Sequence, residues 1–225
     1  MMLRTILGGL LGGFAMFIIG FLFWGTPLSA LALSRADPQA SANLQAAMAQ
    51  ALARSGTGVY VIPDPATAQG TILYGKGPVA MLFYNNGGFP VMDGSSLIGG
   101  LLLALATGVL IALALRFVTG DFNSRARVSI LFALATVLWL HIGQAVFNHA
   151  PWGYSLYLAL SDLVALSVAG LIAEMRGGFV SKEVVDAVAE EFRLNDPLIL
   201  RYFHWLGEVL QGKHDAKRTD TVSHL

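Results

Sequence analysis

Five polar residues in the second half of the chain carry most of its chemical potential. His141, Gln144 and Asn148 are spaced i, i+3 and i+7, so one helix face holds all three. Ser155 and Asp162 are spaced i and i+7 and share a face of the following helix. The two stretches read as a tight antiparallel hairpin about Pro151. His141 lies ten positions before that residue and Asp162 eleven after it. Both therefore fall at matching depth, roughly 15 Å below the outer surface at about 1.5 Å per residue. Asn148 and Ser155 are expected to face each other nearer that surface.

A carboxylate at such depth costs about 3 kcal/mol or more unless it is paired or wet. His141 is the partner at hand. A neutral acid bonded to a neutral imidazole and an ion pair both satisfy the spacing, and the sequence does not choose between them. Functionally, the pair is a proton or ion relay, a site for a polar group, or a buried clasp that fixes two helices. A relay normally has further ionisable groups in series. The neighbouring spans offer only Thr107 and Thr136.

Other chemistry is excluded or thin. There is no cysteine, which removes thiol catalysis, disulfides and thiolate metal sites. His149, His214 and His224 have no H-E-x-x-H or carboxylate cluster beside them, so no metal, cofactor or catalytic residue is expected. Gly70-x-x-x-x-Gly75-Lys76 matches most of a phosphate-binding loop. Gly77 then stands where a Ser or Thr must hold Mg²⁺, and Pro78 opens an apolar run instead of a helix. A glycine-rich turn is the better reading, with no nucleotide. Fourteen basic residues balance fourteen acidic ones, so no field gathers nucleic acid. An outward pocket around Asn148, Tyr154 and Ser155 is the arrangement that an enzyme in the membrane would use.

The elements that must position these residues follow from composition. Only 12% of the chain is charged and 55% is hydrophobic. A soluble domain carries about 25% charged residues. Four apolar runs are long enough to cross a bilayer, about Ile6–Trp24, Leu97–Val118, Val128–Phe147 and Tyr154–Ala173. The first has a rival reading as a secretory signal, with Arg4 before it and Ala30-Leu31-Ala32 after it, but its apolar run exceeds the usual length. Arg116, Arg125 and Arg127 lie between the second and third runs. Seven further Lys and Arg follow the fourth run from Arg176 to Arg218, while the turn at residues 149–153 has none. Basic loops stay inside, so both termini are expected in the cytoplasm of a bacterial inner membrane.

The first span carries Gly8, Gly9, Gly12 and Gly13, two overlapping G-x-x-x-G spacings. Such a face lets another helix approach closely. The approaching helix is either a partner or second copy, or the chain's own second span with its Gly99, Gly100 and Gly108.

Four regions result: a first span at 1–25, an extracytoplasmic α+β unit at 26–96, three spans at 97–176, and a cytoplasmic helical tail at 177–225. In the outward unit, Asp37-Pro38 starts a helix and Ser55-Gly56 ends it. Thr57–Ile62 and Pro78–Tyr84 read as strands, with a further short strand at Gly70–Tyr74. So little chain holds too small a core to be stable alone. In the tail, Asp196-Pro197 starts a helix with an apolar, aromatic stripe. Leu198, Tyr202, Trp205, Leu206 and Val209 lie on it, suited to the membrane interface, to a partner, or to closure on the preceding helix.

The first span ending in Trp24 and Pro27 is one mark of a wider pattern. Gly58-Val-Tyr-Val-Ile-Pro63 and Gly77-Pro-Val-Ala-Met-Leu-Phe-Tyr84, followed by three spans, complete it. Over residues 1 to about 175 the layout resembles small bacterial inner-membrane proteins without an assigned activity. The resemblance implies topology and brings no cofactor or site. The expected fold is thus an integral membrane, mainly α protein. It is a four-helix bundle with a small α+β outer unit. Its partners are the lipid bilayer and another membrane protein or itself. Two roles fit, a non-catalytic scaffold or accessory subunit, and a small ion-coupled carrier working through His141 and Asp162.

Overall fold

In this computed structural model, residues 2–175 are described, together with Asp186 and Glu190. Four helices are long and apolar enough to cross a membrane. The first, α1, is Met2–Trp24. A short 3-10 turn, Pro27–Leu31, follows it. Next come α2 (Pro38–Ala51), β1 (Gly58–Ile62), α3 (Ala68–Tyr74) and β2 (Ala80–Tyr84). The second long helix, α4, is Gly94–Leu115. The third is made of α5 (Phe122–Val137), a π turn (Leu138–Ile142) and α6 (Gly143–Phe147). The fourth, α7, is Trp152–Glu174.

Short polar side chains start most of these helices, because they accept the amide protons that a first turn leaves unpaired. Asp37 accepts from the Gln39 and Ala40 amides, Asp121 from Ser124, and Thr67 from Gly70. Asp93 accepts from the Ser95 amide and from the Ser95 and Ser96 hydroxyls. Those hydroxyls pull the Asp93 carboxyl well below the usual carboxylate range, to about 2.

Gly70–Tyr74 is helix where the sequence suggested a strand. Thr67 caps it, and the Thr71 hydroxyl donates to the Pro65 and Thr67 carbonyls. This local capping outweighs the strand preference of Thr71 and Ile72. The sheet is accordingly one antiparallel pair, with Gly58 opposite Tyr84 and Ile62 opposite Ala80.

Packing within the bundle centres on α7. It touches α1, α4 and α5, whereas α4 and α5 scarcely meet. Small residues make the core: Ala104, Ala112, Ala133, Ala165, Ala169 and Ala173 are all buried. Leu103, Phe132 and Trp139 face outward. Lipid solvates large apolar side chains as well as a core would, so helix contacts go to residues that let backbones approach.

All four glycines of the α1 face are buried in the chain's own bundle. A Cβ on Gly9 would lie 2.6 Å from the Val109 Cα, and one on Gly13 would lie 2.7 Å from the Leu105 Cα. Gly12 is pressed against the Ala169 backbone and Gly108 against the backbones of Gly9 and Gly13. The approaching helices are therefore α4 and α7. Gly99 has open space and Gly100 meets only the Phe17 ring, so Gly108 alone among the second-span glycines makes the close seam.

Candidate functional site

The third span changes its winding just where its polar residues lie. In the π turn, the Gly143 amide reaches back to the Leu138 carbonyl, five residues away. His141 Nε2 lies 2.7 Å from Asp162 Oδ2. The second carboxylate oxygen has only a long 3.4 Å contact from the Ser161 hydroxyl, which also donates to the Leu158 carbonyl at 3.0 Å.

The pair is unequally covered. The His141 side chain is 16% exposed and that of Asp162 is 46% exposed. Asp162 nevertheless lies on the inner side of α7, on the stripe that holds the buried Ser155, Ala165 and Ala169. One turn further along α7, Leu166 forms part of a lateral groove of about 370 Å³ between α4 and α5. Ile111, Val118, Ser129, Phe132 and Thr136 form its walls, and the lining is overwhelmingly apolar. The groove lies where α4, which packs chiefly on α1, and α5, which packs on α7, scarcely meet.

The remaining stripe residues are not brought to the pair. Asn148 donates to Gln144 Oε1 at 2.6 Å, within its own helix end. Ser155 is fully buried, and its hydroxyl has no partner among the described residues. No hydrogen bond therefore joins Asn148 to Ser155. The π turn shifts the phase of everything after it, and the i, i+7 count assumed regular winding. Tyr154 stands edge-on to Trp24, with ring centroids 6.5 Å apart, so it joins an aromatic cluster.

Two pairings escaped the sequence reading. Arg125 Nη1 meets Glu174 Oε2 at 3.1 Å at the other end of the same hairpin, with the Glu174 side chain 2% exposed. Arg125 also donates from Nε to the Val118 carbonyl, tying in the α4–α5 connection. The signal was present: the first charged residue of α7 after Asp162 lies as far down the hairpin as the arginines before the third span. The Tyr157 hydroxyl donates to the Phe23 carbonyl at 2.7 Å, which locks α7 to the end of α1.

No group of three or more potential metal ligands occurs among the described residues. The aromatic stripe of Leu198, Tyr202, Trp205, Leu206 and Val209 lies outside the described residues. No family model matches the chain, no curated protein matches it, and no solved structure matches it.

Proposed function

We propose that this chain is a non-catalytic scaffold or accessory subunit of a membrane complex, held in a bacterial inner membrane with both termini cytoplasmic. The observation that carries the reading is the state of residues 26–96. This segment has two helices and a hairpin, yet Gly70 is its one buried residue. Val59, Ile72, Phe83, Phe89, Val91 and Met92 all stand exposed on it. A segment that orders its backbone without burying side chains must recover that entropy elsewhere. A protein surface resting on it supplies the missing burial. The basic residues between the second and third spans support the orientation.

The test is purification from native membranes in mild detergent, followed by native mass spectrometry. A second protein in fixed ratio, lost on Phe83→Asp with Val59→Asp, is the expected result. Recovery of the chain alone, as monomer or homo-oligomer, overturns the reading. Orientation is tested on single-cysteine variants, which the cysteine-free chain makes clean. A cysteine at Ser55 is expected to react with an impermeant maleimide from outside, and one at Ser124 is not.

A second reading has its own support, the 2.7 Å contact of His141 and Asp162 midway along the spans. In this reading the chain is a proton-linked carrier that works as an oligomer. Proteoliposomes holding a pH-sensitive dye decide it. Proton flux that Asp162→Asn removes, with normal protein yield, favours the carrier. Flux that is absent in the native chain excludes it.

A further inference from the structure

We propose that Asp162 docks a second protein's membrane-spanning helix, one that carries a lysine or arginine halfway along its span. The inference rests on the scaffold reading and names what the partner must bring.

Three observations carry it. The first is an unfilled acceptor. His141 Nε2 meets Asp162 Oδ2 at 2.7 Å, while Oδ1 has only the 3.4 Å contact from the Ser161 hydroxyl. That hydroxyl has one proton, and the Leu158 carbonyl receives it at 3.0 Å. Among the described residues, Oδ1 is thus left without a donor of its own.

The second is cover. The Asp162 side chain is 46% exposed, against 2% for Glu174, the other acid of α7. Glu174 is closed in beside Arg125. Asp162 has a histidine on one oxygen, and this chain leaves much of the remaining carboxylate uncovered.

The third is place. Asp162 is eleventh of the 23 residues of α7, a helix long and apolar enough to cross a membrane. A half-covered carboxylate in the middle of a bilayer is strongly disfavoured unless a countercharge or water meets it.

Charge complementarity then selects the occupant. Acyl chains offer no donor at that depth, and lipid headgroups lie at the surface. A second copy of the chain brings no cation there either. Among the described residues, the long helices hold no lysine, and they hold arginine only near their starts, Arg4 in α1 and Arg125 and Arg127 in α5. A lysine or arginine halfway along another protein's span donates to Oδ1 and balances the carboxylate. Such a residue is as costly alone as Asp162, so the two are favoured together.

The test uses the full chain, purified from native membranes in mild detergent, with native mass spectrometry reading the partner bound per chain. Asp162→Asn keeps the size of the side chain and a bond to His141 but removes the charge. It is expected to reduce the bound partner at least about tenfold at normal yield, while Asp162→Glu retains it. A benzophenone amino acid in place of Leu158, one turn from Asp162, is expected to crosslink an apolar run of the partner with a lysine or arginine at its middle. Replacing that cation by leucine should release the native chain, and replacing it by aspartate should restore binding to Asp162→Lys. A partner kept in full by Asp162→Asn overturns the proposal and leaves the scaffold reading standing. A crosslinked run without a cation does the same. Recovery of the native chain alone, as monomer or homo-oligomer, overturns both.

Discussion

The bundle has two seams built on opposite principles. Along α1 and α4, backbone meets backbone through Gly9, Gly13 and Gly108, with no room for a Cβ. Along α5 and α7, the helices are pinned at two levels by charged side chains, Arg125 to Glu174 and His141 to Asp162. The first seam has one geometry, set by contact. The second is held at points, through polar side chains. Polar chemistry is therefore to be sought on the α5–α7 side.

The largest expected effect breaks the rigid seam. Gly108→Leu must push apart two backbones, at about 3 kcal/mol or more. It should abolish the monodisperse peak in size-exclusion chromatography. Gly99→Leu, into open space, should leave that peak unchanged. Equal behaviour of the two variants removes the distinction drawn between the seams.

The next effect falls on the lower pin. Arg125→Ala removes the 3.1 Å ion-pair partner of the buried Glu174 carboxylate. Removing one member of a buried pair costs about 3 kcal/mol. A clear drop in Tm is expected, with partial recovery in Arg125→Lys. An unchanged Tm would make the contact incidental.

The upper pin should matter less for stability. Hydrogen bonds between membrane helices are worth about 1 kcal/mol. Asp162→Leu should lower Tm modestly, and Asp162→Asn less, because Asn still bonds to His141. If both variants have the native Tm, the pair adds nothing to the packing.

The smallest effect sharpens the contrast from outside the spans. Asp93 caps α4, and its carboxyl is held from the ordinary 3.8 down to about 2 by Ser95 and Ser96. The folded state thus favours the charged form. The cap's contribution is complete above pH 3.8 and fades as pH falls toward 2. Asp93→Ala should therefore lower Tm slightly at pH 5 and converge with the native chain near pH 2. A gap that stays constant down to pH 2 would mean the carboxylate is not the source.

Much of the bundle is legible in the chain because its signals are local. Runs of about twenty apolar residues and the Asp37, Asp93 and Asp121 caps need only neighbours in sequence. The small core is less legible. An alanine such as Ala169 gives no sign of whether it meets lipid or the Gly12 backbone. Gly70–Tyr74 misleads for a related reason: its strand-like composition is overruled by two threonine hydroxyls bonding back to the chain.

The candidate site divides the same way. By itself the sequence determined the two hairpin helices and the facing of a histidine and an aspartate across them. Each follows from a fixed rise per residue on either side of Pro151. Only the tertiary structure decided the rest. A π turn breaks the regular winding at Leu138–Ile142, and Asn148 donates to Gln144. The gap between α4 and α5 arises because α4 packs chiefly on α1 and α5 on α7. Winding defects and empty space belong to no single residue. They come from how backbones settle against one another once the glycine seam has fixed where α1, α4 and α7 must lie.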